Sequence, residues 1–324
     1  MKRHPLTFAL ALLAFLLPLR AQNLPSIPPE EYSLSPDGRT LLHWKGQEAY
    51  LNMAIDPVLK WIDTIAPQAT YYVDSLGQVA GQPFLQELIL PFPLQHISSR
   101  AFYCPYLRHV LLNKGLRSME QWAFVDGAFS EIRLPATLQH YEEGAIMGRY
   151  LETIEVEEGS PYLAVQQGCL VALTNRTLLL YPTGSLYARP LLPEEIVRIG
   201  RFAFAMSPYV THLEIPEGVT SFGQEAFRRC TSLTTLDLPG TLSQMEGIPW
   251  IDSPLDPLII RSAFPPEITG STSSYRGDPL YLYVPEESIA LYAQSPFWQK
   301  IVRQIESINA LEEQAQVLEN EERP

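Results

Sequence analysis

A six-residue pattern of apolar positions, LxxLxL, recurs along the chain at a nearly constant spacing. Its starts lie 22 or 23 residues apart, except for one step of 59 residues between 151 and 210. Alternate residues of a strand point to opposite sides, so the first, fourth and sixth positions should face a core and the third and fifth should face solvent. The seven segments begin at Leu85, Leu107, Phe129, Leu151, Val210, Leu233 and Leu255.

A second series of anchors keeps step with the first. Its members are Ala101-Phe102, Ala123-Phe124, Ala145-Ile146, Ala203-Phe204 and Ala226-Phe227. Each unit is predicted to contain a short strand, a turn at Pro or Asn, a second extended piece and a tight helical turn that carries the anchor. No single unit can bury its apolar side alone, so the units must stack on one another.

The predicted fold is a right-handed leucine-rich-repeat solenoid, formally α/β but dominated by β structure. Its units of about 22 residues would form a parallel sheet on the concave side and short helical turns on the convex side.

The long step is predicted to hold an inserted β-hairpin. Residues 168–171 and 178–182 form its two arms, and Thr174-Asn175 lies near its turn. The segment 33–46 has a similar pattern and predicts a second hairpin near the N-terminus. The anchor that follows it is Ala69-Thr70 instead of Ala-Phe, which departs from the pattern.

These residues resemble the BspA-like leucine-rich-repeat family of bacterial secreted and surface proteins over about residues 33–308. The segments AFYCPYL and AFRRCTSL carry cysteines, Cys104 and Cys230, where that family has one. The long step resembles the family's hairpin-containing unit, and the chain after Leu258 resembles its closing unit. The resemblance implies an adhesin-like role at the cell surface.

The rest of the chain is divided by composition. Residues 1–21 read as a signal peptide cut after Ala21, 22–32 as an extended leader and 33–80 as an N-terminal cap containing a hairpin. Repeats fill 81–280 with the insertion at 158–200, a capping unit fills 281–308 and an acidic tail fills 309–324. Within the capping unit, the spacing of four apolar residues predicts one helical face: Trp298, Ile301, Ile305 and Ile308.

Charge limits the classes of partner. Removal of Lys2, Arg3 and Arg20 with the signal peptide leaves 20 of the 23 basic residues against 36 acidic ones, a net charge near −16. Nucleic acid and anionic lipid are poor partners for such a surface. The N-terminal apolar run is too short to span a bilayer, so we expect no membrane insertion. We expect an exported monomer that is secreted, surface-associated or periplasmic.

Candidate chemistry is sparse. Cys104 and Cys230 would lie about 20 Å apart at about 4.8 Å per unit, too far for a disulfide, so we interpret them as buried core thiols. The position of Cys169 on a hairpin arm leaves its role open. The chain has no recognised catalytic motif, and its histidines fall in different units. We therefore predict no enzymatic activity, no cofactor and no metal.

The candidate ligand surface consists of solvent-facing strand positions, and the alternative is an ordinary solvated face. We expect the strand face and both hairpins to present contacts to a protein or glycan. The rival function is a periplasmic or envelope scaffold with no host ligand, and an enzyme with an unrecognised site is less favoured. The candidate residues are Glu87, His109, Glu131, Arg133, Glu155, His212, Glu214 and Asp237.

Overall fold

The structure, a computed structural model, describes residues 26–73, 79–272, 277 and 279–321. The predicted signal peptide lies outside the described residues. The chain winds into a solenoid whose coils contribute short strands to three faces, and most neighbouring strands are parallel. This confirms the predicted solenoid.

The first face carries the LxxLxL strands. They form hydrogen-bonded groups of three, two and five strands. Their bounds are Tyr50–Asn52, Glu87–Ile89 and His109–Leu111 in the first group, Glu131–Leu134 and Thr153–Val156 in the second, and His212–Glu214, Thr235–Leu238, Leu258–Ile260, Leu280–Val284 and Val302–Ser307 in the third.

The second face carries the other extended piece of each coil, in one sheet of six strands and one of seven. The six-stranded sheet consists of Tyr32–Leu34, Thr40–Trp44, Thr64–Ile65, His96–Ile97, Ser118–Met119 and His140–Tyr141. The seven-stranded sheet consists of Leu163–Gln166, Cys169–Ala172, Thr177–Leu180, Arg198–Ile199, Ser221–Phe222, Gln244–Glu246 and Glu267–Thr269.

The third face carries the Ala-Phe anchors, and the predicted helical turns there are wrong. Three anchors lie in a parallel sheet formed by Phe102–Tyr103, Phe124–Gly127 and Ile146–Gly148, and the later ones lie in hydrogen-bonded turns. The remaining elements are the strand pair Tyr72–Val73 and Val79–Ala80, the 3-10 turns Pro29–Glu31, Leu59–Trp61 and Glu286–Ser288, and the α-helices Ile289–Gln294, Trp298–Ile301 and Ile308–Glu321.

A left-handed residue explains why these turns are not helical. The residue before each anchor has a positive φ, between 57° and 76° from Arg100 to Glu225. Such a residue cannot continue a right-handed helix. The anchor amide instead bonds to the next coil: the Phe102 N–H donates to the Ala123 oxygen at 2.8 Å, and the Phe204 N–H donates to the Ala226 oxygen at 2.8 Å.

The anchor rings form a column through the core. The rings of Phe102 and Phe124 stack with centroids 4.8 Å apart, and Phe204 lies 5.4 Å from Phe227. Thr70, which replaces the first ring, is fully buried. Its hydroxyl donates to the Ala101 oxygen at 3.1 Å and accepts from the Tyr103 N–H at 3.0 Å. The departure from the pattern therefore exchanges ring stacking for a hydrogen-bonded link to the next coil.

The inserted hairpin has the predicted arms, but they are not presented to solvent. Cys169–Ala172 pairs antiparallel with Thr177–Leu180, and every residue of both arms is buried. Leu170, Ala172, Leu179 and Leu180 pack in the core formed by the coils before them. Cys169, Val171 and Leu178 pack in the core of the coils after them. The hairpin thus lies between two halves of the solenoid, and only its tip and its outer strand Leu163–Gln166 reach the surface.

The N-terminal hairpin is also present, as Tyr32–Leu34 paired antiparallel with Thr40–Trp44.

At the C-terminus, the predicted single helical face is wrong. The helix Trp298–Ile301 ends there, and Val302–Ser307 forms a parallel strand in which Ile305 lies opposite Leu282. The preceding strand, Leu280–Val284, would otherwise expose an unpaired edge at the end of the sheet, which favours pairing over helix. The acidic tail forms the helix Ile308–Glu321 as far as it is described.

Gly144, the left-handed residue before the anchor Ala145-Ile146, offers a test of how tightly the chain packs at these positions. Its φ is +76°, and a Cβ added there would lie 2.8 Å from Cδ2 of Phe202. Gly159 has a φ of +83° and no atom within 4 Å of such a Cβ, so Gly159→Ala isolates the backbone cost. We expect Gly159→Ala to lower the free energy of unfolding by about 1 kcal/mol and Gly144→Ala by about 2–4 kcal/mol, measured by urea denaturation. Equal losses would contradict the close packing at Phe202.

Candidate functional site

The structure places all eight candidate residues on first-face strands. Glu87 lies opposite His109, and Glu214 lies opposite Asp237. Arg133 lies opposite Glu155. Glu131 and His212 occupy the corresponding positions of their own strands, opposite threonines. The set falls into two groups, one in each half of the solenoid, because the long insertion separates strand Thr153–Val156 from strand His212–Glu214.

The candidate residues differ in how much charge they offer to a partner. Asp237 accepts two hydrogen bonds from Arg261, at 2.9 and 2.7 Å, and is neutralised by it. Burial and the charge of Arg189 lower the pKa of His212, so its imidazole is neutral at pH 7. Glu131, Glu155 and Glu214 form no ion pair with any described residue within 4.0 Å. Glu87 also forms no ion pair with a described residue, so four candidate carboxylates carry unpaired negative charge on this face.

An irregular segment interrupts the first face between the two groups. The Gly184 N–H donates to the Leu151 oxygen at 2.7 Å, and the His212 N–H donates to the Ala188 oxygen at 3.2 Å, so the segment occupies the place of a coil. Three of its apolar side chains are strongly exposed: Leu186 at 75%, Tyr187 at 73% and Leu191 at 78%. Sequence reasoning missed them. The sequence feature that could have indicated them is a run of large apolar residues between 186 and 192 that lacks the apolar–polar alternation of a strand.

The outer hairpin strand, Leu163–Gln166, has a cleft on each side. The first-face cleft has a volume of 540 Å³ and separates this strand from strand Thr153–Val156. Its charged lining includes the candidates Arg133 and Glu155. The second-face cleft has a volume of 680 Å³ and lies between His140–Tyr141 and the hairpin. Its charged lining consists of Glu120, Glu142, Glu143, Arg201 and Glu246, beside His140.

A charge cluster joins the two halves beside the second-face cleft. Glu143 accepts from Nε and Nη2 of Arg198 at 3.2 Å each, and from the backbone N–H of Arg201 at 2.6 Å. Arg198 also donates to Glu246 at 3.1 Å. Burial lowers the pKa of the Arg198 guanidinium, but the hydrogen bonds and charges of the two carboxylates outweigh it and raise the pKa above its ordinary value. Of the two acids in this cluster, Glu143 lies before the insertion and Glu246 lies after it.

The cysteines are packing residues. Cys104, Cys169 and Cys230 are free and buried. Burial raises the pKa of each thiol to about 12, so the nucleophilic thiolate is scarce near neutral pH. Among the described residues, no group of three His, Cys, Asp or Glu side chains could hold a metal ion.

The repeated parallel strands, the left-handed residue before each anchor and the stacked core define a leucine-rich-repeat solenoid. The family described as BspA type leucine rich repeat region matches in six copies, over residues 80–166 and 190–262. The chain belongs to the BspA-type leucine-rich-repeat proteins. A search of curated proteins finds no match to the sequence.

Two solved structures share the fold at low identity. The pneumococcal vaccine antigen PcpA is 16% identical with a TM-score of 0.54, and the match covers 87% of this chain and 98% of that one. A leucine-rich repeat protein from Eubacterium ventriosum is 12% identical with a TM-score of 0.51, over 85% of this chain and 81% of that one.

In the part of the chain that the structure describes, no helix has the length and apolarity needed to cross a membrane.

The charge cluster at Glu143 predicts a stability effect. Glu143→Ala removes three acceptor contacts and leaves Arg198 with one carboxylate partner, so we expect the free energy of unfolding to fall by about 2 kcal/mol. Glu194→Ala is the matched control, because Glu194 is exposed and forms no ion pair within the described residues. Thermal and urea unfolding would measure both. A Glu143→Ala variant as stable as the control would show that the cluster does not hold the two halves together.

Proposed function

We propose that the protein is an exported, adhesin-like binding protein that recognises a protein or glycan partner through its repeat surface. The proposal rests on one observation: exposed apolar side chains lie between unpaired carboxylates where the irregular segment interrupts the first face. Free carboxylates lie on both sides of a segment whose Leu186, Tyr187 and Leu191 are largely exposed. Exposed apolar side chains grouped in this way add nothing to the stability of the folded chain and are typical of interaction sites.

Membership of the family supports a location outside the cytoplasm. The features of residues 1–21 that predict a signal peptide agree with it, and the description of PcpA as a pneumococcal vaccine antigen fits a surface protein. The rival, an envelope scaffold, differs in location. Protease treatment of intact cells separates the two: digestion of the protein supports the adhesin-like role, and a protected periplasmic pool would favour the scaffold.

The carboxylates of the first face can be tested directly. We expect Glu131, Glu155 and Glu214 changed together to Lys to weaken binding to a basic partner by about tenfold or more, since charge reversal replaces attraction by repulsion. The partner would be captured from extracellular fractions of host or self with the unmodified chain, and affinities would be measured by surface plasmon resonance.

The control carries the same change of net charge elsewhere. Glu30, Glu267 and Glu287 are exposed residues outside the first-face strands and outside the exposed apolar segment, and all three would be changed to Lys. Both variants should unfold cooperatively. If both bind as tightly as the unmodified chain, the first face is not the contact surface, and the clefts or the hairpin tip would take its place.

A further inference from the structure

The six-stranded sheet of the second face ends on an open edge. Its last strand, His140–Tyr141, pairs on one side with Ser118–Met119, and no described residue forms a strand partner on the other. Within each sheet of this face, neighbouring coils are joined by hydrogen bonds from the later coil to the earlier one. For example, the Arg117 N–H donates to the Gln95 oxygen at 2.9 Å, and the Thr220 N–H donates to the Val197 oxygen at 2.9 Å.

The hydrogen bonds of the last strand identify the groups left at the edge. The His140 N–H donates to the Arg117 oxygen at 3.0 Å, and the Glu142 N–H donates to the Met119 oxygen at 3.0 Å. Successive residues of a strand direct their backbone groups to opposite sides. The carbonyl of Gln139 and both backbone groups of Tyr141 therefore point away from the sheet. Within the described ranges, no backbone amide donates to either carbonyl.

The hairpin leaves room beside this edge. The seven-stranded sheet begins at Leu163–Gln166, and none of its strands pairs with His140–Tyr141. The second-face cleft, 680 Å³ in volume, occupies the space between them. Its far wall is partly apolar and includes Leu163, Ala172 and Leu179. An unpaired edge with apolar side chains beside it suits an extended chain, because the backbone donors of such a chain pair with the edge while its side chains alternate between the two faces of the sheet.

The charge of the cleft selects among extended chains. Glu120, Glu142, Glu143 and Glu246 line it with one arginine, Arg201. Arg198, beside the cleft, pairs with Glu143 and Glu246, so the four carboxylates outnumber the two arginines and the cleft stays negative. A second copy of this acidic chain would bring two negative rims together, because the whole sequence carries a net charge of −13. A glycan lacks the regular backbone donors that the edge requires. A basic polypeptide satisfies both the edge and the charge.

We propose that the second-face cleft binds an extended basic segment of a partner protein, which adds to His140–Tyr141 as a further parallel strand. The inference rests on the proposed binding function and gives it a site and a ligand chemistry. Side chains of the bound segment alternate between the apolar wall and the acidic rim, so alternating apolar and basic residues fit best.

The test uses the purified chain and an acetylated, amidated hexapeptide of alternating lysine and valine, with binding measured by calorimetry. Two further peptides of the same sequence carry N-methyl groups on alternate amides. One is methylated at the amides that the other leaves free, so together they block every backbone donor. We expect at least one N-methylated version to bind at least tenfold more weakly, because lost donors leave the edge carbonyls unpaired. Hydrogen exchange of residues 139–143 should slow when the unmodified peptide binds, because the Tyr141 amide gains a partner.

The acidic rim is tested with Glu142→Gln combined with Glu246→Gln. The amide oxygens can still accept from the Gln121 N–H and from Arg198, so the fold is preserved while two charges are removed. We expect affinity for the hexapeptide to fall about tenfold. The control, Glu194→Gln with Glu195→Gln, should bind as the unmodified chain does.

Three results would overturn the proposal: no binding of the hexapeptide, binding of both N-methylated versions as tight as that of the unmodified hexapeptide, or binding without slower exchange at residues 139–143. None of them would remove the proposed binding function, which is tested separately by charge reversal on the first face. Conversely, a first-face variant that binds its partner normally would leave the strand-addition result intact. Should the rim variant prove unstable in thermal unfolding, the N-methylated peptides decide the question with the unmodified chain.

Discussion

No coil of this solenoid can exist alone, because each one buries its apolar side and satisfies its backbone groups only against its neighbours. Parallel strands on the first face, parallel strands on the second and stacked rings beneath the third all run from coil to coil. An inserted segment in such a chain must either leave the stack or become part of it. The 59-residue step takes the second course.

The hairpin becomes part of the stack by offering a core surface on both sides. Leu170 packs toward the N-terminal coils and Leu178 toward the C-terminal ones. Tyr181 continues the ring column, with its centroid 4.8 Å from that of Phe204, and its N–H donates to the Ala203 oxygen at 2.7 Å. The same insertion breaks the regular ladder on two faces. One break leaves the exposed segment around Tyr187, and the other leaves the open edge at His140–Tyr141. The inserted hairpin therefore both keeps the core continuous and breaks the sheets on the first and second faces.

Sequence patterns predicted the features that repeat. The two anchor series predicted the coils and the inward positions, and the apolar arms predicted the hairpin. They did not predict the left-handed residue before each anchor, since Arg100, Trp122 and Phe202 stand where a glycine would have indicated it. The spacing of Trp298, Ile301 and Ile305 fitted a helix, and the need to pair the last sheet edge overrode it. The clefts depend on contacts such as Glu143 with Arg198, 55 residues apart, which local patterns do not encode.

The hairpin should make the two halves of the solenoid one cooperative unit, and native-state hydrogen exchange tests this coupling most directly. Leu178→Ala opens a cavity in the C-terminal core, and Leu170→Ala opens one in the N-terminal core. If the hairpin couples the halves, each change lowers the protection of the slowest-exchanging amides in both halves by the same free energy. Loss of protection confined to residues 196–284 in the first variant, and to residues 85–156 in the second, would show that the two halves unfold independently.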